Sequence, residues 1–107
     1  MTLDRMFHAL ADGTRRAMIE RLVRGPATVS DLARPFDMTL PAVVQHLAVL
    51  EAAEIVTSRK VGRVRTVQLA PEALTAAGTW IGEQRLPAER QLDRLGSFLT
   101  APKEHVR

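Results

Sequence analysis

Two threonines eleven residues apart, Thr28 and Thr39, set the strongest limit on what this chain can fold into. Each stands just ahead of a helical apolar pattern, where its side-chain oxygen can satisfy a first-turn amide that has no intrahelical partner. After Thr28 an acid follows three residues on, at Asp31, and Val29, Leu32, Ala33 and Phe36 mark one helical face. Pro35 limits that helix to about two turns, and Asp37-Met38 reads as the turn that follows. Thr39 opens the next helix, with Pro41 in its first turn, where the missing N–H is already surplus. Val43, Leu47 and Leu50, at i, i+4 and i+7, are its expected core face. Residues 28–53 therefore predict a helix-turn-helix.

The flanking segments complete the architecture. Leu3, Met6, Phe7 and Leu10 have the spacing of a short first helix. Asp12 is a candidate N-cap for a second, carrying Ala17, Met18, Leu22 and Val23 and stopped by Gly25-Pro26. Two β-prone runs, Ile55–Arg59 and Arg63–Leu69, are joined around Lys60-Val61-Gly62, with Gly62 supplying the positive φ of a hairpin loop. Pro71-Glu72 opens a last helical segment with Leu74, Ala77, Ile81, Leu92, Leu95 and Leu99 in rough heptad phase, kinked or broken at Pro87. The predicted fold is mostly α with a small β-hairpin (α+β), in the order helix-helix-helix-helix-strand-strand-helix: a winged helix-turn-helix. At 107 residues it is expected to be a single domain, 1–107, with its wing at 55–69.

Charge distribution points to the partner. Fifteen Lys and Arg against twelve Asp and Glu give a net +3. The excess is concentrated between Thr57 and Gln68, which holds Arg59, Lys60, Arg63 and Arg65 and no acid. On a hairpin beside a helix-turn-helix, those cations suit the phosphates of double-stranded DNA. At about 100° per residue, Pro41, Val44, Gln45 and Ala48 lie opposite or beside the core face of the fourth helix. With Thr39 and Leu40 at its start, these are the candidate readers. Gln45 can bond bidentately to adenine, and Val44 and Leu40 can touch thymine methyls, so the half-site is expected to contain A·T pairs. Arg15 and Arg16 are candidate phosphate contacts, with ion pairs to Asp12 or Glu20 as the alternative. His46 lies beside the core stripe and reads as a half-buried structural imidazole. Trp80 reads as a packing anchor, with an effector pocket as the other reading.

Other chemistries lack their residues. Without cysteine there is no disulfide or thiolate metal site. Three scattered histidines and surface acids assemble no catalytic set, so no enzymatic activity and no cofactor are expected. His8 and Asp12, one turn apart, offer a metal only two ligands, and no metal site is expected. The opening residues contain no signal peptide or membrane span, which makes a cytoplasmic location the expectation.

The stretch Phe7-His8-Ala9-Leu10-Ala11-Asp12 followed by Thr14-Arg15-Arg16, the helix around His46-Leu47 and Leu50, and Arg59 with Gly62-Arg63 together resemble the ArsR/SmtB-like winged-helix repressors over residues 3–69. Pro35-Phe36-Asp37-Met38 and a tail with Trp80, Leu92 and Leu95 resemble a branch without the metal ligands. The third helix has none of that family's cysteines, and the last has Glu83, Glu89 and Asp93 but no histidine before His105. Three positions depart from the family pattern: Val44 replaces a serine, Glu54 a glycine and Val67 a frequent tyrosine. The resemblance implies a sequence-specific repressor on an inverted-repeat operator. It also implies a homodimer formed by segments 3–11 and 72–100, with Leu3, Phe7, Ile81, Leu92, Leu95 and Leu99 at the interface, and an effector that the sequence leaves unknown. The competing readings are a winged-helix protein-interaction module and a MarR-like regulator; the short first helix counts against the latter.

Overall fold

The computed structural model describes residues 2–85, 88–89, 91–92 and 95–96. Its elements are α1 (Thr2–Leu10), α2 (Gly13–Val23), β1 (Ala27–Thr28), α3 (Val29–Ala33), α4 (Leu40–Ala52), β2 (Val56–Val61), β3 (Val64–Leu69) and α5 (Thr75–Glu83). The three expected caps form. The Asp12 carboxylate accepts the Arg15 N–H at 3.1 Å, Thr28 Oγ1 accepts the Asp31 N–H at 3.1 Å, and Thr39 Oγ1 accepts the Ala42 N–H at 3.3 Å. The Asp31 carboxylate itself pairs with Arg34 at 3.0 Å.

Several boundaries differ from those expected. α3 has five residues rather than about two turns. Pro35 has no N–H to continue the ladder, so the last i→i−4 bond runs from Arg34 N to Ser30 O at 3.2 Å, and Phe36 N closes a tighter turn onto Ala33 O at 3.0 Å. A third strand precedes it: β1 lies antiparallel to β3, pairing Ala27 with Val67 and Thr28 with Thr66, and the sheet order is β1-β3-β2. Two residues cannot display an alternating pattern, so the strand leaves no periodic signal. The hairpin is tighter than expected. Lys60 and Val61 belong to β2, Val61 pairs with Val64, and the loop is Gly62-Arg63, with Gly62 at φ +62°. A positive φ at the first central position is where a II′ turn requires glycine.

Helix α4 ends in a Schellman arrangement. Glu54 N bonds to Glu51 O at 2.9 Å and Ile55 N to Leu50 O at 3.0 Å, with Glu54 held at φ +61° and the side chains of Leu50 and Ile55 buried together. The last helix starts at Thr75, not at Pro71-Glu72. Glu72 has φ +54°, outside helical space, and residues 70–75 form turns instead. α5 then stops at Glu83, four residues ahead of Pro87. Pro87 and Leu99 lie outside the described residues.

The chain divides into two compact units, residues 1–77 and 78–107. In the first, Met18 and Leu22 of α2, Leu32 of α3, and Val43, Leu47 and Leu50 of α4 close on Ile55 and Val67. All three expected α4 core residues are fully buried. Leu3, Phe7 and Leu10 of α1 pack half-buried against that core. In the second unit, Gln84 donates to Trp80 O at 3.1 Å, and Ile81, Leu92 and Leu95 are exposed.

Candidate nucleic-acid interface

Burial of Val43, Leu47 and Leu50 fixes how α4 is rolled, and the roll decides what its other face presents. Thr39, Leu40, Pro41, Val44, Gln45 and Ala48 are all exposed, Leu40 at 52% and Val44 at 39%. Two accessible aliphatic side chains on a capped helix give a surface that can press on another molecule. Thr39 Oγ1 accepts the Ala42 amide and keeps its hydroxyl proton for an outside acceptor.

The four wing cations do not share one fate. Arg59, Lys60 and Arg63 are exposed and form no ion pair among the described residues. Arg65 turns back onto the body: its Nη2 donates to Glu51 Oε1 in the last turn of α4, and its Nε donates to Ser58 Oγ at 3.1 Å. A cleft of about 290 Å³ lies between the wing and the helices, lined by Thr28, Ser30, Leu40, Arg63, Val64 and Arg65. Ser30 was not among the sequence candidates. Nothing in its local spacing marks it, because only the tertiary fold brings it beside Leu40 and Arg63.

Arg15 and Arg16 have partners that neither sequence reading named. Arg15 Nε donates to Ala9 O at 2.8 Å and its Nη2 to His8 O at 2.9 Å, while Arg16 Nη1 donates to Leu10 O at 2.6 Å. Both guanidiniums therefore satisfy the last carbonyls of α1, where the helix dipole also favours cations. Arg15 Nη1 lies 3.2 Å from His46 Nδ1. His46 is largely buried, as its place beside the core stripe implied. The Asp12 carboxyl is held below the usual aspartate range, chiefly by the Arg15 backbone N–H and then by the nearby His46 and Arg15 charges, with desolvation opposing them.

A helix-turn-helix with an exposed second helix, followed by a cation-bearing hairpin, is a winged helix-turn-helix DNA-binding domain. Comparison with known proteins agrees. A helix-turn-helix domain model matches residues 10–59. The HTH-type transcriptional regulator Rv2034 of Mycobacterium tuberculosis is 51% identical over 76 residues, covering 71% of this chain and 71% of that protein. The transcriptional repressor SdpR of Bacillus subtilis is 28% identical over 79 residues, covering 74% and 88%. Among solved structures, the ArsR family transcriptional regulator RHA00566 is 51% identical with a TM-score of 0.75, over 78% of this chain and 86% of that one. A homodimeric winged helix-turn-helix domain of Mycobacterium bovis shares the fold at 23% identity and a TM-score of 0.64, over 87% and 83%. The chain belongs to the ArsR family of transcriptional regulators, which are not enzymes. Among the described residues no helix is long and apolar enough to cross a membrane.

Proposed function

We propose that this regulator is a repressor that binds an inverted-repeat operator as a homodimer, acting in the cytoplasm, where its DNA is. Its α4 lies in the major groove, with Leu40, Pro41, Val44 and Gln45 toward the base edges and Thr39 donating to a phosphate. Arg59, Lys60 and Arg63 meet the phosphates beside it. The observation that carries this reading is the cleft that joins Leu40 at the start of α4 to Arg63 at the wing tip, with Arg63 exposed and in no ion pair among the described residues. One strand of a duplex lying along such a cleft meets a reading helix and a positive ribbon at once. A repressor SdpR among the relatives supports the direction of regulation, and the homodimeric neighbour supports the assembly.

Footprinting on the DNA upstream of the protein's own gene tests the proposal. A protected inverted repeat with half-site centres about 34–36 Å apart is expected. Binding that is indifferent to salt favours the protein-interaction reading instead, because phosphate contacts release counterions and a hydrophobic contact does not.

A further inference from the structure

Among the four wing cations, Arg65 stands where the sheet changes character. β1 pairs only with Val67 and Thr66, so β3 is flanked on both sides up to Thr66, and from Arg65 outward the hairpin is a two-stranded ribbon. Such ribbons are marginally stable alone. Along the face that starts in the core with Val56 and Val67, the next positions are Ser58, then Lys60 and Arg65 directly opposite each other. Two like charges facing across a ladder destabilise it. At the other end of the contact, Glu51 sits in the last turn of α4, which contains no basic residue, so its carboxylate opposes the helix dipole. It also lies on the helix proposed to face a polyanion. Each arrangement is unfavourable by itself, and the Arg65–Glu51 pair, with Ser58 holding Nε, relieves them together. The pair is about one-third exposed on each side, screened from solvent more than a surface pair.

We propose that Arg65 is a positioning residue that sets the wing against the reading helix through Glu51 and Ser58, and that it neutralises no phosphate. The wing then has three cations left for DNA, Arg59, Lys60 and Arg63, and its angle to α4 is set by a tie at its base. This inference rests on the DNA-binding reading for its consequence, but the tie itself is a property of the free protein.

The test uses the full chain and a labelled mixed-sequence duplex of about 30 base pairs, long enough for both subunits, titrated between about 50 and 200 mM salt. Arg63→Ala is expected to lower the salt slope by about 0.9, one phosphate contact. Arg65→Ala is expected to weaken binding several-fold at an unchanged slope, and Glu51→Gln to weaken it likewise. The double variant Glu51→Arg with Arg65→Glu, which rebuilds the pair reversed, is expected to recover affinity at the same slope. The proposal is overturned if Arg65→Ala lowers the slope as Arg63→Ala does, if Glu51→Gln tightens binding by freeing a cation, or if the reversed pair rescues nothing. Amide hydrogen exchange without DNA separates this from the functional reading. Val61 and Val64, the hydrogen-bonded pair that closes the loop, should exchange several-fold faster in Arg65→Ala and Glu51→Gln and recover in the reversed pair. If the wild type binds the duplex without salt dependence while exchange behaves as expected, the DNA reading fails and the tie stands; unchanged exchange sinks the tie.

Discussion

Glu54 occupies a backbone conformation made for another residue. Its φ of +61° closes the end of α4, and an L-residue pays about 1–2 kcal/mol there for the approach of its Cβ to the following carbonyl. Glycine avoids that clash but loses more entropy on folding. Glu54→Gly is therefore expected to stabilise the protein by about 1 kcal/mol net, read as a higher denaturation midpoint at an unchanged m-value. The family's usual glycine at this position suits that angle. Asp12 supplies the second expectation at this scale. Its carboxyl titrates lower in the folded chain than in the unfolded one, because the Arg15 N–H, His46 and the Arg15 guanidinium favour the ionised form. Its contribution is thus fully present above the unfolded value, near pH 4, and is lost as pH falls through the folded value. Acid titration of the Asp12→Asn variant should show a flatter loss of stability below about pH 4 than the wild type; parallel curves would remove Asp12 from the acid response.

At the scale of elements, the helices were legible because a cap and a period are local. Asp12, Thr28 and Thr39 each form the bond their position implied, and Val43, Leu47 and Leu50 are buried as a set. The exposed face of α4 follows from that burial, so the exposure of Thr39, Leu40, Pro41, Val44, Gln45 and Ala48 was legible too. What could not be read was decided at a distance. β1 exists only because β3 lies beside it, and α5 begins late only because Glu72 turns the chain away. Arg15 and Arg16 read as phosphate contacts or ion-pair partners, and in the free chain they also meet carbonyls of α1 six or seven residues back, contacts that no local spacing marks. Arg65 was indistinguishable from Arg63 by type and spacing, and only Glu51, fourteen residues away, separates them. Two outcomes test the reading helix itself. Thr39→Ala should cost about 0.5–2 kcal/mol of stability through the lost cap, by denaturant titration. Gln45→Ala should leave stability unchanged within about 0.5 kcal/mol, since its side chain is exposed. It should also cost about 1–3 kcal/mol of operator binding at one position per half-site, which competition with single-base variants of the footprint would reveal.

At the scale of the whole molecule, each chain of this transcriptional regulator has one exposed α4. A single α4 with the few exposed cations of one wing offers few contacts, and the affinity expected of a specific regulator comes from holding two such surfaces together. Ile81, Leu92 and Leu95 are each more than half exposed in the single chain, and burying them in a partner, as the proposed dimer does, would recover about 25 cal/mol for each Å² of apolar surface. Removing the whole segment after Leu74 would confuse the question, because Ala77 is buried in the core of the first unit and its loss would open that core. Charged substitutions at the exposed positions avoid this. Ile81→Glu with Leu92→Glu and Leu95→Glu is expected to sediment as a monomer and to keep the far-ultraviolet spectrum of the helices. It should also bind an inverted-repeat operator at least about a hundredfold more weakly than the wild type, while binding an isolated half-site with unchanged affinity. The half-site comparison makes the result specific, since a damaged reading helix would lose both. A variant that remains dimeric, or a monomer that keeps full affinity for the repeat, would place the source of operator affinity outside the 78–107 segment.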